Sequence, residues 1–242
     1  MRYSANLNII IKAIEKAAGR MPRDFIELEN LQSNPISATK FANACYNKVK
    51  QTLAEDLLRF RPEYNLIFSD GEKVINKKDA EYSYTIFPID GLGNLSRSDP
   101  HFTVAIALEH IDASGKKESI SVAISNIVGN EVFYCEKGFG AYVSSRRLRV
   151  SKKSGNEKSA AVIEDLNFAQ SEKSKNLSLR NYGCKTLEIA YLASSRLDAV
   201  ILNDSKDNEL IKPFMLLVRE AGGKVAESDN LILASNGLIN LV

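Results

Sequence analysis

Residues 84–95 of this chain read Tyr84-Thr85-Ile86-Phe87-Pro88-Ile89-Asp90-Gly91-Leu92-Gly93-Asn94-Leu95. β-branched and aromatic side chains fill the first half of this segment, which predicts a strand. The second half brings one carboxylate, two glycines and an asparagine together, and these residue types favour a tight turn. The segment therefore predicts a strand that leads Asp90 into a tight turn, where its carboxylate can cap the turn.

Apolar spacing predicts two helices before this segment. The first has one apolar face with three- and four-residue spacing, formed by Leu7, Ile10, Ile14, Ala17 and Met21. Residues 27–37 are polar and contain Asn34-Pro35, so they are expected to form a loop. A second helix is expected from about residue 39 to about residue 59, with an apolar stripe of Phe41, Cys45, Val49, Leu53 and Leu57.

Short β-rich runs and helical patterns follow one another through the rest of the chain. Strands are predicted over residues 64–68, 84–89, 102–108, 119–125 and 131–135, and Gly138 and Gly140 mark the next turn. The second half alternates a strand at 160–163, a helix at 185–195, a strand at 197–202, a helix ending at Gly222-Gly223 and a strand at 231–234. This order predicts layered sheets and helices.

Composition narrows the class of protein. A chain of 242 residues that is 44% hydrophobic can bury a large core. The net charge of +2 is too small to argue for nucleic acid on its own. A basic run lacks interleaved aromatic residues, which favours a solvated loop over direct contact with nucleic acid or an acidic partner: Arg146, Arg147, Arg149, Lys152 and Lys153.

Cysteine and histidine usage points to a reduced, intracellular protein. Cys45, Cys135 and Cys184 are too few and too scattered for a disulfide framework or a zinc site. The apolar stretch 7–11 is too short for a membrane span or a signal peptide. We therefore expect a cytoplasmic protein with no membrane partner, in which His101, His110 and Cys184 are structural.

The segment 84–95 resembles the signature of the inositol-monophosphatase family, Asp-Pro-Ile/Leu-Asp-Gly-Thr-x-Asn-Phe. Further stretches resemble the family in the same order, so the likeness covers roughly residues 5–240: 100–108, 130–151, 183–198 and 216–223. By this resemblance the chain is identified as a member of the family, in the branch that includes the bacterial extragenic-suppressor proteins. The resemblance implies an α/β fold, the layered αβαβα sandwich of the inositol-monophosphatase/sugar-phosphatase superfamily. We expect a single unit over 1–242, with subdomains at about 1–150 (α+β) and 151–242 (α/β).

The resemblance also implies a magnesium cofactor, because the family uses Mg²⁺ held by carboxylates to polarise a phosphate and activate a water. The family's ligand positions fall on Asp70, Phe87, Asp90 and Leu210, and its water-orienting threonine falls on Leu92. Asp90 alone keeps the family's side chain, and Asp70 is one methylene shorter than the family's glutamate. These substitutions predict that Mg²⁺ binding is weak or absent and leave no confident catalytic residue.

Two other carboxylates compete as replacement ligands. A slip of one residue places Glu209 at the position of Leu210, and Asp207 is near. If the last helix instead begins near Lys212, because Pro213 favours a first turn, Glu209 lies on the preceding loop.

Phosphate contacts are implied by the same resemblance. The backbone amides of Gly91, Leu92 and Gly93 occupy the family's phosphate-binding turn, an arrangement that suits anions whatever the side chains. Lys185 stands where the family has a small residue. It either supplies positive charge to the site or is a solvated lysine at a helix start.

Three functions remain open from the sequence. The first is a family member with weak or lost phosphatase activity, retained to bind a small phosphorylated molecule or a partner. The second is an active Mg²⁺-dependent phosphatase that hydrolyses inositol monophosphate or a similar small ester. The third is a special case of the first, a role with the transcription machinery, with which suppressor-type members are associated. A homodimer is expected by resemblance.

Overall fold

A computed structural model describes residues 4–154, 159–175, 177–228 and 230–239. Three helices come first: α1 (Ala5–Ala18), α2 (Met21–Asn30) and α3 (Pro35–Phe60). The Ser4 hydroxyl accepts a hydrogen bond from the Leu7 amide and so caps α1. The Asn34 side chain caps α3 in the same way, and Pro35 occupies its first turn, where no amide hydrogen is needed.

The predicted loop over residues 27–37 is wrong in its extent. Helix α2 continues to Asn30, so only residues 31–34 connect it to α3. The polar side chains of this stretch lie on the outer face of α2, while Met21 and Leu28 are buried on the inner face. An amphipathic helix with a narrow apolar face was therefore read as a polar loop.

The first sheet has eight strands and follows residues 65–147. The strands are β1 (Asn65–Phe68), β2 (Lys73–Val74), β3 (Tyr82–Asp90), β4 (Thr103–Ile111), β5 (Lys117–Asn126), β6 (Glu131–Glu136), β7 (Gly140–Val143) and β8 (Arg146–Arg147). Their order is β2-β1-β3-β4-β5-β6-β7-β8, and only β1 and β3 pair in parallel. A short helix, α4 (Leu92–Ser96), follows β3 directly.

The second sheet has five strands from the remainder of the chain. They are β9 (Ser159–Ile163), β10 (Leu177–Arg180), β11 (Ala199–Asn203), β12 (Lys224–Ser228) and β13 (Leu231–Ser235), in the order β10-β9-β11-β13-β12. Three helices belong to this part: α5 (Leu166–Ala169), α6 (Lys185–Ala193) and α7 (Leu216–Glu220). The strands predicted over 160–163, 197–202 and 231–234 and the helix over 185–195 are confirmed, with small shifts at their ends.

Three apolar cores separate the layers. The first lies between α1, α3 and one face of the eight-stranded sheet and includes Ile10, Leu53 and Tyr84. The second fills the space between the two sheets, with α6 and α7 inside it. A small third core, around Ile201 and Leu233, covers the outer face of the second sheet together with Phe168 of α5. Helix, sheet, helix, sheet and helix therefore alternate, which confirms the predicted layered α/β sandwich.

The chain before α7 is a 3₁₀ segment, Lys206–Met215. Pro213 has no amide hydrogen for a regular α-helix, and the α-helix begins only at Leu216. Glu209 and Leu210 therefore lie on this 3₁₀ segment and not on α7. Gly222 follows the end of α7 in the left-handed conformation, as the sequence predicts. Within the described ranges, none of the helices combines the length and apolar character needed to cross a bilayer.

Candidate functional site

The turn after β3 requires glycine at its first position. Gly91 has φ +80°, and a Cβ atom there would lie 2.6 Å from the backbone oxygen of His101. Helix α4 begins one residue later, at Leu92. The first-turn amides of a helix have no partner inside the helix, so the amides of Leu92 and Gly93 are not used by α4 itself. These are two of the three amides that the sequence predicts for phosphate binding.

The Asp90 carboxylate binds the start of α6. Its Oδ2 accepts hydrogen bonds from the Thr186 amide at 2.7 Å and from the Thr186 hydroxyl at 2.8 Å. The Cys184 thiol also donates to Oδ2, at 3.4 Å. Cys184 is fully buried, and burial raises the pKa of its thiol well above the usual value. In this structure Asp90 therefore caps a helix, and Cys184 has the predicted environment of a small buried side chain.

Asn94 connects the turn to the chain that leads into α6. Its Nδ2 donates to the backbone oxygen of His101 at 2.7 Å and to that of Tyr182 at 2.6 Å. His101 itself is bonded to Asp99 through Nδ1, at 2.6 Å. The sequence pattern indicates Asn94 as a turn residue but gives no signal for this connecting role. Two tertiary contacts, through Asp90 and Asn94, thus hold the turn against α6.

Phe87 occupies the core between the sheets. Its ring packs edge-on against Phe214, with ring centroids 5.4 Å apart and an interplanar angle of 85°. Leu92 is half-buried and packs against the first core. Neither side chain offers an oxygen atom to a cation or to water at the two positions that the family resemblance singled out.

Asp70 is bound to a lysine of α3. Lys50 Nζ lies 2.5 Å from Asp70 Oδ2 and 2.6 Å from Glu72 Oε2. Burial alone would raise the pKa of Asp70, but hydrogen bonds from Lys50 and from the Glu72 amide outweigh it and lower the pKa. The carboxylate is therefore ionised with its charge already offset by a neighbouring ammonium group.

Glu209 is exposed and lies beside Lys212. The exposed fraction of its side chain is 67%, and its Oε2 is 3.2 Å from Lys212 Nζ. Lys212 also lies within 2.9 Å of Asp204 and 3.3 Å of Glu227. Hydrogen bonding to Asp204, more than any other contact, raises the pKa of Lys212. The side chain of Asp207 lies outside the described residues.

Lys185 belongs to a polar cluster that the sequence did not reveal. Its Nζ forms an ion pair with Glu164 Oε1 at 2.8 Å and donates to Asn208 Oδ1 at 2.5 Å. Asn208 is buried and donates in turn to Glu164 Oε2 at 2.9 Å. The ammonium group of Lys185 thus sits between a carboxylate and an amide, and about a third of its side chain is exposed.

A second unforeseen group is Glu188, one turn further along α6. It is 3% exposed, and its Oε1 accepts a hydrogen bond from the Tyr182 amide at 3.0 Å. Burial raises the pKa of Glu188 to about 7, and the nearby negative charges of Asp90 and Glu164 act in the same direction. Its signal in the sequence is weak, because a glutamate in a helix is normally exposed.

The carboxylates that the family resemblance assigns to a magnesium site do not converge in the described part of the chain. Mg²⁺ requires hard oxygen ligands in near-octahedral geometry. Asp90, Asp70 and Glu209 are each held by a different partner: the start of α6, Lys50 and Lys212. Among the described residues, no three acidic, histidine or cysteine side chains converge as a metal site would require.

Comparison with protein families assigns the chain. The model of the inositol monophosphatase family matches residues 2–239, so the chain belongs to this family. Inositol-1-monophosphatase of Rhizobium meliloti (strain 1021) is 28% identical over 234 residues, which is 92% of this chain and 85% of that protein. Nus factor SuhB of Xylella fastidiosa is 28% identical over 237 residues, which is 91% of this chain and 81% of that protein.

Solved structures have the same architecture. The extragenic suppressor protein suhB from Bartonella henselae aligns with a TM-score of 0.81 at 25% identity, covering 98% of this chain and 96% of that one. Inositol monophosphatase from Anabaena (Nostoc) sp. PCC 7120 aligns with a TM-score of 0.74 at 25% identity, covering 96% of this chain and 91% of that one. Relatives that carry a phosphatase name and relatives that carry a suppressor name therefore share one fold with this chain.

Proposed function

We propose that this chain is an inositol-monophosphatase-family protein with weak or lost phosphatase activity that acts by binding. The observation that carries the proposal is the engagement of Asp90, whose Oδ2 is taken by the amide and hydroxyl of Thr186. Asp90 is the one carboxylate that keeps its place in the family signature. A ligand for Mg²⁺ must offer lone pairs of its own, and the hydrogen bonds from Thr186 occupy those of Oδ2, which leaves Oδ1 as the only oxygen of this carboxylate for a metal ion.

The neighbouring side chains support the same proposal. Phe87 and Leu210 bring hydrocarbon to positions where the family resemblance implies carboxylates, and Leu92 replaces the water-orienting threonine. The negative charges of Asp70 and Glu209 are each offset by an ion pair with a lysine. Bringing either of them to a metal at Asp90 requires breaking an ion pair first.

A small phosphorylated molecule is the ligand class that suits the turn. The amides of Gly91, Leu92 and Gly93 can donate to phosphate oxygens without a metal, since backbone donors at a helix start favour anions. Lys185, close to the same helix junction, adds positive charge that Glu164 partly offsets. We propose Gly91, Leu92, Gly93 and Lys185 as the phosphate-binding residues.

Phosphate release from inositol 1-phosphate in millimolar magnesium tests the proposal. Wild type and Asp90→Asn should both release phosphate at rates near the background without protein. The alternative, an active Mg²⁺-dependent phosphatase with substitute ligands such as Glu209, predicts clear turnover in the wild type that Asp90→Asn removes. That outcome would overturn the proposal.

A protein partner in transcription is the second part of the proposal. It is supported by relatives that carry the name Nus factor SuhB, among them the protein of Xylella fastidiosa. Such a role places the chain in the cytoplasm, and family resemblance suggests that it acts there as a homodimer. Pull-down with tagged chain should enrich RNA polymerase factors over a tagged unrelated protein. No enrichment would argue against this part and leave the catalytic part standing.

A further inference from the structure

A cavity lies beside the strand that leads to the signature turn, several residues before the end of that strand. It has a volume of about 470 Å³ and lies between β3, β4, β5 and the 3₁₀ segment. Thr85 lines it, five residues before Asp90, with Phe87 between them on β3. At the rise of an extended strand the two residues are roughly 16 Å apart. The residues that line the cavity include Leu210 but none of residues 90–94, so the cavity does not extend to the turn that holds Asp90.

The inner wall of the cavity contains a buried carboxylate. Glu109 is 6% exposed, and its Oε2 accepts a hydrogen bond from the Thr85 hydroxyl at 2.9 Å. No cationic side chain of the described residues forms an ion pair with Glu109. A buried charge is costly unless a partner compensates it, so this carboxylate favours a cationic or hydrogen-bond-donating group from a ligand.

The rim of the cavity carries both signs of charge, and two of its lining residues are the carboxylates Glu118 and Glu209. Four cationic side chains line it: Lys117, Lys137, Lys212 and Arg219. Lys137 pairs with Glu118, and Lys212 pairs with Asp204, Glu209 and Glu227. Among the residues that the structure describes, Lys117 and Arg219 have no ion-pair partner, and both are exposed. Lys117 and Arg219 are therefore available to bind an anionic group of a ligand.

We infer that this cavity binds a small zwitterion, a molecule that carries both an ammonium group and an acidic group. The ammonium group meets Glu109 on the inner wall, and the acidic group meets Lys117 and Arg219 at the rim. Leu210, Pro213 and Leu216 provide an apolar wall for the carbon chain between them. The volume lies within the range of small-molecule pockets, about 300–1,000 Å³. A simple polyanion is disfavoured, because the carboxylate of Glu109 repels it.

Amide shifts in nuclear magnetic resonance titrations with three probes test this inference. Phosphoethanolamine carries both charges, ethanolamine only the ammonium group and inorganic phosphate only the anion. Phosphoethanolamine should shift the amides of Thr85, Glu109 and Leu216 at millimolar concentrations, and each half-probe should bind there roughly tenfold more weakly or worse. Shifts confined to Leu92 and Gly93 would place binding at the turn and contradict the inference.

Two variants and a control separate the cavity from general charge effects. Glu109→Gln keeps the shape and the acceptor for Thr85 but removes the charge, and Arg219→Ala changes an exposed side chain on the rim. Each should weaken phosphoethanolamine binding roughly tenfold, while Lys40→Ala, an exposed lysine of α3 away from the cavity, should leave it unchanged. Wild-type affinity in both cavity variants, or inorganic phosphate binding there as tightly as phosphoethanolamine, would overturn the inference.

Discussion

Asp90 Oδ2 accepts hydrogen bonds from both the amide and the hydroxyl of Thr186, although Asp90 and Thr186 lie 96 positions apart in the chain. Thr186 is the second residue of α6, whose first amides have no partner within the helix. A carboxylate at that end is also favoured by the helix dipole. Asp90 thus ties the signature turn of β3 to α6 and to the core between the two sheets.

Removing this cap should reduce stability. Asp90→Ala should lower the free energy of unfolding by about 1–2 kcal/mol, the usual cost of losing a helix cap. Asp90→Asn should cost less, because its Oδ1 can still accept from Thr186. Urea denaturation followed by circular dichroism measures both. If Asp90→Ala were as stable as wild type, the capping role would be wrong.

Gly91 is expected to be intolerant of a side chain. Gly91→Ala combines a positive φ with a Cβ placed 2.6 Å from the backbone oxygen of His101, which cannot swing away as a side chain would. The free energy of unfolding should fall by more than about 2 kcal/mol. Gly93→Ala is the matched control, since no atom lies within 4 Å of its added Cβ. Equal stability of the two variants would contradict the geometry of this turn.

Glu188 should make stability depend on pH. Its folded-state pKa of about 7 lies above the ordinary value of 4.5, so the folded chain binds the proton more tightly than the unfolded chain. Stability associated with this group is therefore fully present below about pH 4.5 and is lost as the pH rises towards 7. Glu188→Gln removes the charge and keeps an acceptor for the Tyr182 amide.

The Glu188→Gln variant should exceed wild type in stability by about 1–3 kcal/mol at pH 8 and differ little from it at pH 4.5. Chemical denaturation at the two pH values checks this. A stability difference between variant and wild type that stayed constant across this range would show that the burial of Glu188 does not control its ionisation.

Restoring the family's side chains should create magnesium affinity. Phe87→Asp, Leu92→Thr and Leu210→Asp together supply two carboxylates and a hydroxyl at the positions that the family resemblance assigns to the metal site. Without metal the triple variant should be less stable than wild type by about 2–4 kcal/mol, because Phe87 loses its packing on Phe214. Magnesium should recover part of that loss, since a ligand that binds only the folded state stabilises it.

Calorimetric titration with magnesium gives the second measurement on the triple variant. Its affinity should exceed that of wild type by roughly tenfold or more, and adding Asp90→Asn should remove the gain. Unchanged affinity in the triple variant would mean that positions 87, 92 and 210 do not correspond to the family's ligand positions.

The sequence predicted the secondary-structure elements better than the side-chain contacts of the candidate site. Local residue types predict three elements correctly: the strand that ends at Asp90, the glycine turn after it, and the helix before Gly222. Helix α2 was missed because Met21 was assigned to the apolar face of the first helix, which ends at Ala18, and because the polar residues from Glu27 onward looked like a loop. Strands such as β2 and β8 have two residues each, and their pairing partners define them rather than their own side chains.

The contacts that decide the site are tertiary. The sequence indicates Asp70 as a candidate ligand but does not predict its ion pair with Lys50, which lies 20 positions earlier on α3. Lys185 was noted as a cation, and its partner Glu164 comes from the end of the second sheet's first strand. Such pairings follow from the way that layers pack, which a linear pattern of charges does not encode.

Crystals soaked in magnesium and phosphate test the central claim most directly. We expect Asp90 Oδ2 to stay hydrogen-bonded to Thr186 and Phe87 to stay packed on Phe214. We expect no metal ion to bind between Asp90 and its neighbours. Replacing magnesium with manganese makes the result unambiguous through anomalous scattering. A metal ion coordinated by Asp90 together with Asp70 or Glu209 would contradict the account.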